Sequence, residues 1–144
     1  MDTLPQPILE ASRPFEWGIV LVCDGQSTDE WPELQRGAAF AASRACLGIV
    51  VRHAQDTEAD VESLKPSDPV PPFKVAIRCW LDAVPPPDAP IRIALDVPSG
   101  RVVVGDAAGW DSIELLPGEW SVSAAPRPFD YPESVDLWFT KADA

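Results

Sequence analysis

Apolar and polar side chains alternate with a period of two along most of this chain, as in strands that bury one face. The segment 91–97, for example, reads IRIALDV, with an apolar residue at every odd position. Proline and glycine separate such segments, as at 98–100 and 117–118, where tight turns are expected. On this basis we predict eight strands, at 17–23, 46–52, 73–81, 91–97, 101–105, 112–116, 119–125 and 134–140.

Strands with one apolar face must bury those faces against each other, which predicts an all-β fold, an antiparallel β-sandwich of about eight strands with little helix. Residues 1–14 contain three prolines and are predicted to be a flexible N-terminal arm, while 15–144 form a single sandwich domain. Segment 33–43 is ambiguous, a helical turn leading into a strand. Gly100 is expected in the left-handed conformation of a hairpin turn.

The charge is strongly negative. The chain has 23 acidic and 11 basic residues, a formal net charge of −12, distributed over both halves without an acidic tail. We therefore expect the carboxylates on a folded surface, where they attract a basic protein partner. Direct binding of nucleic acid is not expected, because it needs clustered lysine and arginine.

The three cysteines, Cys23, Cys46 and Cys79, form no CxxC pair and lie in apolar segments. An odd, sparse set of this kind predicts buried thiols in a reducing cytoplasm. The N-terminal residues lack the basic and apolar regions of a signal peptide. No apolar stretch is long enough to span a membrane, so a cytoplasmic protein without membrane contact is expected.

Catalytic chemistry is not predicted. The chain contains no nucleophile elbow, HExxH motif, P-loop or paired-cysteine zinc motif. His53, the single histidine, is expected at the surface. The apolar surroundings of the cysteines would raise their thiol pKa and make them poor nucleophiles. We therefore expect no enzyme, no catalytic residue and no cofactor.

A run of alternating acids occupies 56–62, with Asp56, Glu58, Asp60 and Glu62 at every second position. Three interpretations are open. The side chains could simply be solvated, as in most such runs, they could form an acidic strip that faces a partner, or they could form a cation site. The glycine and the terminal acid of a helix-loop-helix calcium site are missing, so no metal site is predicted.

Six tryptophans are numerous for 144 residues. Trp17, Trp120 and Trp138 lie in predicted strands and are expected in the core or half-buried. Trp31 and Trp110 lie in predicted loops beside acids, where an interaction hot spot and a loop cap are equally consistent with the sequence. The predicted partner-binding residues are Asp24, Asp29, Glu30, Trp31, Asp56, Glu58, Asp60, Glu62, Trp110 and Asp111.

The order of segments over 17–125 resembles the ComJ family of bacterial competence-associated nuclease inhibitors. The resemblance is carried by these features: an early strand, an acidic loop ending in Trp31, a Gly-Ala-rich segment at 37–42, a strand near 49–51, the segments 91–97 and 102–104, and the pair of segments within 113–122. It implies a small acidic protein that binds and restrains a DNA-entry nuclease. No inhibitory residue is carried over from the family.

This implication agrees with the charge, because a rigid acidic surface can occupy the basic cleft of a nuclease. Two other classes are open. One is a small-ligand-binding sandwich with an apolar cleft. The other is an accessory domain that dimerises through an edge strand such as 101–105.

Overall fold

The computed structural model describes residues 6–15, 17–26, 37–54, 73–106 and 109–141. Within these ranges the chain forms ten strands and no helix, which confirms the predicted all-β class; no helix there could cross a membrane. The strands are β1 (Leu9–Arg13), β2 (Ile19–Asp24), β3 (Phe40–Ala42), β4 (Cys46–Val50), β5 (Val75–Leu81), β6 (Ile91–Val97), β7 (Arg101–Asp106), β8 (Gly109–Glu114), β9 (Gly118–Arg127) and β10 (Ser134–Lys141).

The ten strands form two five-stranded sheets that pack as a sandwich. Sheet A has the order β1-β5-β10-β9-β6, and sheet B has the order β3-β4-β2-β7-β8. All neighbouring strands are antiparallel except β5 and β10, which run parallel. We call the end at which β2 begins the lower end and the end at which β2 finishes the upper end.

The core lies between the sheets and is built by the alternation that the sequence shows. In β6, Ile91, Leu95 and Val97 are fully buried, whereas Arg92 and Ala94 face outward and are exposed. Each fully buried aliphatic side chain contributes about 1.5–3 kcal/mol by leaving water. The turn after β6 also agrees with the sequence, since Gly100 has a φ of 74°.

Three features of the topology differ from the predictions. β1 lies inside the segment predicted to be an arm and pairs with β5 along its whole length. The prediction that 101–105 forms an edge strand is wrong, because β7 lies between β2 and β8. β8 and β9 are consecutive but belong to different sheets, so the Pro117–Gly118 turn leads from one sheet to the other rather than closing a hairpin.

A tryptophan pair packs on the outer face of sheet A. Trp80 and Trp138 are neighbours across β5 and β10 and stack with ring centroids 5.2 Å apart. The proline-rich connection from β5 to β6 must pass two intervening strands, and its Pro86 and Pro87 carbonyls accept hydrogen bonds from Arg92 on this face. Trp138 is buried although it points away from the core.

The tryptophan predictions are confirmed at two positions and wrong at one. Trp120 and Trp138 are buried as expected. Trp17 precedes β2 instead of belonging to it, and 71% of its surface is exposed. The apolar run that contains Trp17 predicted a buried side chain, but the strand begins two residues later, after Gly18 with a φ of 68°.

The prediction of three unpaired thiols is also wrong. Cys23 and Cys46 are joined by a disulfide between β2 and β4, where their Cα atoms are 4.1 Å apart. They face each other at a position without ladder hydrogen bonds, where antiparallel strands approach most closely. Because two of the three cysteines are joined, the cysteines no longer indicate a reducing compartment.

Cys79 is the cysteine that remains a thiol, and it is fully buried in the core. Burial, with smaller contributions from Asp136 and Asp111, raises the pKa of its thiol to about 12. A thiol with so high a pKa is neutral near pH 7 and is a poor nucleophile, as the sequence indicated.

Candidate protein-binding site

The predicted partner-binding residues are only partly described. Three of them, Asp24, Trp110 and Asp111, belong to sheet B. Seven lie outside the described residues: Asp29, Glu30, Trp31, Asp56, Glu58, Asp60 and Glu62. Of the ambiguous segment 33–43, residues 33–36 also lie outside the described ranges, and 40–42 form β3.

Asp24 is a structural residue. It ends β2 at the upper end, with 3% of its surface exposed. Its Oδ1 accepts hydrogen bonds from the Ser99 amide at 3.0 Å and the Ser99 hydroxyl at 2.6 Å, and its Oδ2 accepts one from the Gln26 amide at 3.1 Å. A buried carboxylate that is engaged in this way holds the β6–β7 turn against β2 and presents no surface to a partner.

We expect the Asp24→Asn substitution to lower the free energy of unfolding by about 1–3 kcal/mol. The amide nitrogen of asparagine would replace one oxygen acceptor, so an N–H donor at Ser99 or Gln26 would lose its partner. Urea denaturation measures the effect, with exposed Asp88→Asn as the control. Equal stability of the Asp24→Asn variant and the control would contradict the structural role.

Trp110 and Asp111 lie on β8, near the lower end, and point in opposite directions. Trp110 faces outward, with 57% of its surface exposed, in a strand rather than the predicted loop. Asp111 forms an ion pair with Arg13 of β1 at 2.7 Å, which joins the edges of the two sheets. Three positions of the ladder separate Trp110 from the level of Asp24, roughly 10 Å along the strand. The three described residues therefore do not form one cluster.

The surplus of negative charge is largely absent from the described sandwich. The described ranges hold twelve acidic and nine basic residues, a formal charge of −3, and the other −9 belongs to the remaining residues of the sequence. Several described acids are paired with arginine, as Asp136 is with Arg78 and Glu133 with Arg52. The expectation of a concentrated negative face on the β scaffold is therefore not met by the described residues.

The lower end instead presents a group of aromatic side chains that the sequence analysis did not select. Trp17 is 71% exposed and Phe129 is 48% exposed, and both lie in segments between strands. His53 is exposed beside them, whereas Phe73 and Tyr131 are half-buried. We call the surface formed by Trp17, His53, Phe73, Phe129 and Tyr131 the aromatic end.

Main-chain hydrogen bonds hold the segments of the aromatic end together. The Phe15 carbonyl accepts from the amides of Gly18 and Ala54, each at 3.0 Å, and the Ala54 carbonyl accepts from the Phe73 amide at 2.8 Å. The Arg127 carbonyl accepts from the Glu133 amide at 2.8 Å and closes the β9–β10 connection. Four separate stretches of chain are thereby positioned before any partner binds, which reduces the entropy lost on binding.

Arg52 connects these stretches through its side chain. Its guanidinium lies 4.1 Å from the ring centroid of Phe73 and 6.0 Å from that of Tyr131, and it forms an ion pair with Glu133. The Arg52 residue is 7% exposed, and its amide donates to the Pro132 carbonyl at 2.9 Å. A guanidinium that lies within cation–π distance of two rings and is paired with a carboxylate restrains the orientation of both aromatic side chains.

Gly18 allows His53 to pack closely beside Trp17. The left-handed φ of Gly18 favours glycine, and a Cβ atom there would lie 2.7 Å from the imidazole Nε2. The His53 amide in turn lies 3.4 Å from the Tyr131 hydroxyl. A continuous contact therefore runs from the chain beside Trp17 to the β9–β10 connection that carries Phe129. The exposed position of His53 agrees with the sequence prediction.

A cavity at the upper end bears on the small-ligand alternative. Its volume is about 400 Å³, and it is an open hollow with a largely polar lining. Arg101 and Glu114 line it from directly opposite positions on β7 and β8. A binding site for a small apolar ligand is normally concave and mostly apolar. The described residues also contain no group of three His, Cys, Asp or Glu side chains that could hold a metal ion.

Comparison with known proteins finds similarity in fold alone. No protein-family model matches the chain, and no curated protein matches it. The crystal structure of ComJ from Bacillus subtilis, an inhibitor of the DNA-degrading activity of NucA, superimposes with a TM-score of 0.65 and 9% identity, covering 97% of this chain and 100% of ComJ. The structure described as crocagin biosynthetic gene J superimposes with a TM-score of 0.52 and 11% identity, covering 94% and 96% of the two chains. At these identities, the comparisons show that this chain shares the β-sandwich fold of the two proteins.

Proposed function

We propose that this chain is a protein-binding module of the ComJ type, an inhibitor of a DNA-degrading nuclease, and that the aromatic end is its main contact surface. The observation that supports this most directly is the exposure of Trp17 and Phe129 on a framework held by main-chain hydrogen bonds. Large aromatic side chains on rigid supports are typical of binding hot spots. The fold shared with an inhibitor of a nuclease supports the class of partner.

Charge supplies the second argument. The acidic segment 55–72 follows Ala54 and ends before Phe73, so it leaves and rejoins the described chain beside the aromatic end. In this proposal the carboxylates of 56–62 attract the basic DNA-binding cleft of the nuclease, while the aromatic end supplies the tight contact. Electrostatic attraction of this kind accelerates association and weakens as salt is added. The partner is therefore a basic protein and not a nucleic acid.

An inhibition assay tests the proposal. Extract of the protein's own cell is fractionated until its DNA-degrading activities separate, and each is assayed on plasmid DNA with and without the purified protein. We expect one nuclease to be inhibited at near-stoichiometric protein, with an association rate that falls as salt rises. The proposal fails if every nuclease degrades DNA at an unchanged rate, or if the protein itself binds the plasmid at moderate salt.

Single substitutions then locate the contact. We expect Trp17→Ala and Phe129→Ala each to cost about 2 kcal/mol of binding, roughly a thirtyfold rise in the inhibition constant. Leu116→Ala is the matched control, because Leu116 is 63% exposed but lies after β8 at the upper end. If Leu116→Ala weakened inhibition as much as the two aromatic substitutions, the contact surface would lie elsewhere.

A further inference from the structure

The edges of the two sheets are unequally protected. β3 has only three residues, and β1 is flanked by Pro7 and Pro14. The upper part of β6 is covered, because the Asp96 amide donates to the Arg44 carbonyl of the β3–β4 connection at 2.8 Å. β8 has six residues, no proline and no lysine. Short strands, prolines and lysines are the usual means by which an edge avoids pairing with another chain, so β8 is the most open edge within the described part of the chain.

The ladder register shows which main-chain groups of β8 point outward. The Leu115 amide donates to the Gly100 carbonyl at 2.9 Å, and this pairing extends the register of β7 and β8. Hydrogen-bonded pairs recur at every second position, so the odd-numbered residues of β8 bond to β7. A second hydrogen bond supports this assignment. The Gly25 amide donates to the Arg101 carbonyl at 2.7 Å, so the odd-numbered residues of β7 bond to β2 and its even-numbered residues are left to bond to β8.

Trp110, Ser112 and Glu114 therefore direct three N–H and three C=O groups away from the sheet. No described residue donates to these main-chain groups or accepts from them. An added strand could form up to six hydrogen bonds along this edge, as in β-strand addition. The exposed indole of Trp110 lies on the outer face beside the edge and could cover a side chain of that strand.

Gly105 fixes the main chain of Trp110 against β7. A Cβ atom at Gly105 would lie 2.3 Å from the Gly109 carbonyl oxygen and 2.5 Å from the Trp110 Cα. Only glycine permits this approach, so the start of β8 packs tightly on its neighbour. The edge that a partner would meet is thus a rigid one, and docking would require little ordering of β8.

We propose that β8 is a β-addition site for an extended basic segment of a protein partner, a contact distinct from the aromatic end. The proposal takes from the proposed function only that the partner is a protein. Charge selects this occupant over a second copy of the chain. The charged residues of β8 itself, Asp111 and Glu114, are both acidic; Arg13 of β1 is paired with Asp111, whereas Glu114 is exposed on the outer face beside the edge. Two copies with a formal charge of −12 would repel each other, whereas lysine or arginine on an added strand would be attracted.

Amide hydrogen exchange measured by NMR tests the open edge directly. In the protein alone, the amides of Trp110, Ser112 and Glu114 should exchange quickly, while those of Asp111 and Ile113 are protected by β7. A short peptide of alternating lysine and valine is then added, with a glutamate–valine peptide as the control. We expect the basic peptide to slow exchange at the three outward amides by about tenfold or more, and the acidic peptide to leave it unchanged.

Ser112→Pro separates docking from general charge attraction. Proline removes the central outward donor but no bond of the β7–β8 ladder, a placement that edge strands tolerate. We expect it to weaken peptide binding about tenfold or more, with Ser112→Ala binding as the natural protein does; urea denaturation checks that both variants fold. If Ser112→Pro does not fold, Trp110→Ala is used with the same expectation.

Three results would overturn the proposal. The first is slow exchange of the outward amides in the protein alone, together with a dimer in sedimentation, which would make a second copy the occupant. The second is peptide binding that is indifferent to Ser112→Pro, and the third is no added protection with the basic peptide. None of these results depends on nuclease inhibition. If the inhibition assay fails while β8 binds the peptide, only the proposed function is wrong; if inhibition is observed but β8 does not bind the peptide, only the β-addition site is wrong.

Discussion

Truncating Phe15 to alanine should lower the free energy of unfolding by about 3–5 kcal/mol, a large part of the stability of a domain of this size. Phe15 is fully buried and belongs to the core cluster. Its loss would leave a cavity at the lower end, directly beneath the main-chain bonds that join Gly18 and Ala54 to residue 15. The substitution therefore links core packing to the proposed binding surface.

Urea denaturation measures this loss. The slope of the unfolding free energy against urea concentration should be the same for the variant and the natural protein. Phe129→Ala is the matched control, because it removes the same side chain from an exposed position and should change stability by about 0.5 kcal/mol or less. Below the unfolding transition, we also expect Phe15→Ala to weaken nuclease inhibition, since the support of Trp17 is loosened. A stability loss of equal size in both variants would contradict the assigned role of Phe15.

Replacing Cys23 and Cys46 together by serine should cost about 3 kcal/mol of stability. The disulfide closes a loop with a sequence separation of 23 residues, and loops of this length restrict the unfolded chain by about that amount. Addition of a thiol reductant to the natural protein should lower the urea midpoint similarly, and it should leave the double variant unchanged.

Thiol counting provides the check on this disulfide. Because Cys79 is buried with a raised pKa, iodoacetamide should label no cysteine in the native protein at pH 8. Labelling should reach one cysteine after unfolding and three after unfolding with reduction. Labelling of all three cysteines in unfolded, unreduced protein would show that the disulfide does not form, and the reductant should then have no effect on stability.

These results bear on function because the two surfaces differ in how they depend on the fold. The aromatic end is assembled from four stretches of chain and relies on buried Phe15 and Arg52 to position its side chains. The β8 edge relies only on its register with β7 and on the close approach at Gly105. A core substitution at the lower end should therefore impair inhibition more than it impairs peptide addition to β8.

Local pattern determined much of the architecture. The predicted strand at 91–97 has the bounds of β6, and the glycine predicted at the left-handed position of the following turn has that conformation. Alternation and turn residues act over a few positions, so the sequence displays them directly. Strand ends were less accurate. β2 begins two residues after the predicted start, because the apolar run includes Trp17, which precedes the strand. β8 begins three residues before the predicted start at 112, because its first residues, 109–111, form no apolar run.

Side-chain exposure was harder to predict than strand formation, for a related reason. Asp24 follows an apolar run and precedes a glycine, which is typical of an exposed turn, yet it is buried by a bond to Ser99, 75 residues away. Trp17 showed the opposite error, because its exposure depends on where β2 begins. The one signal that could have marked the aromatic end is the glycine at 18, which interrupts the apolar run directly after Trp17.

The sequence by itself determined that this protein is built of strands, where most of them lie, and that its carboxylates outnumber its basic groups about two to one. Only the tertiary structure decided that Cys23 meets Cys46, that β7 is internal while β8 is an edge, and that Trp17 and Phe129 are exposed together at one end. Strand formation follows from contacts between near neighbours in the chain. Pairing, register and exposure arise from contacts between distant segments, which a local pattern does not contain.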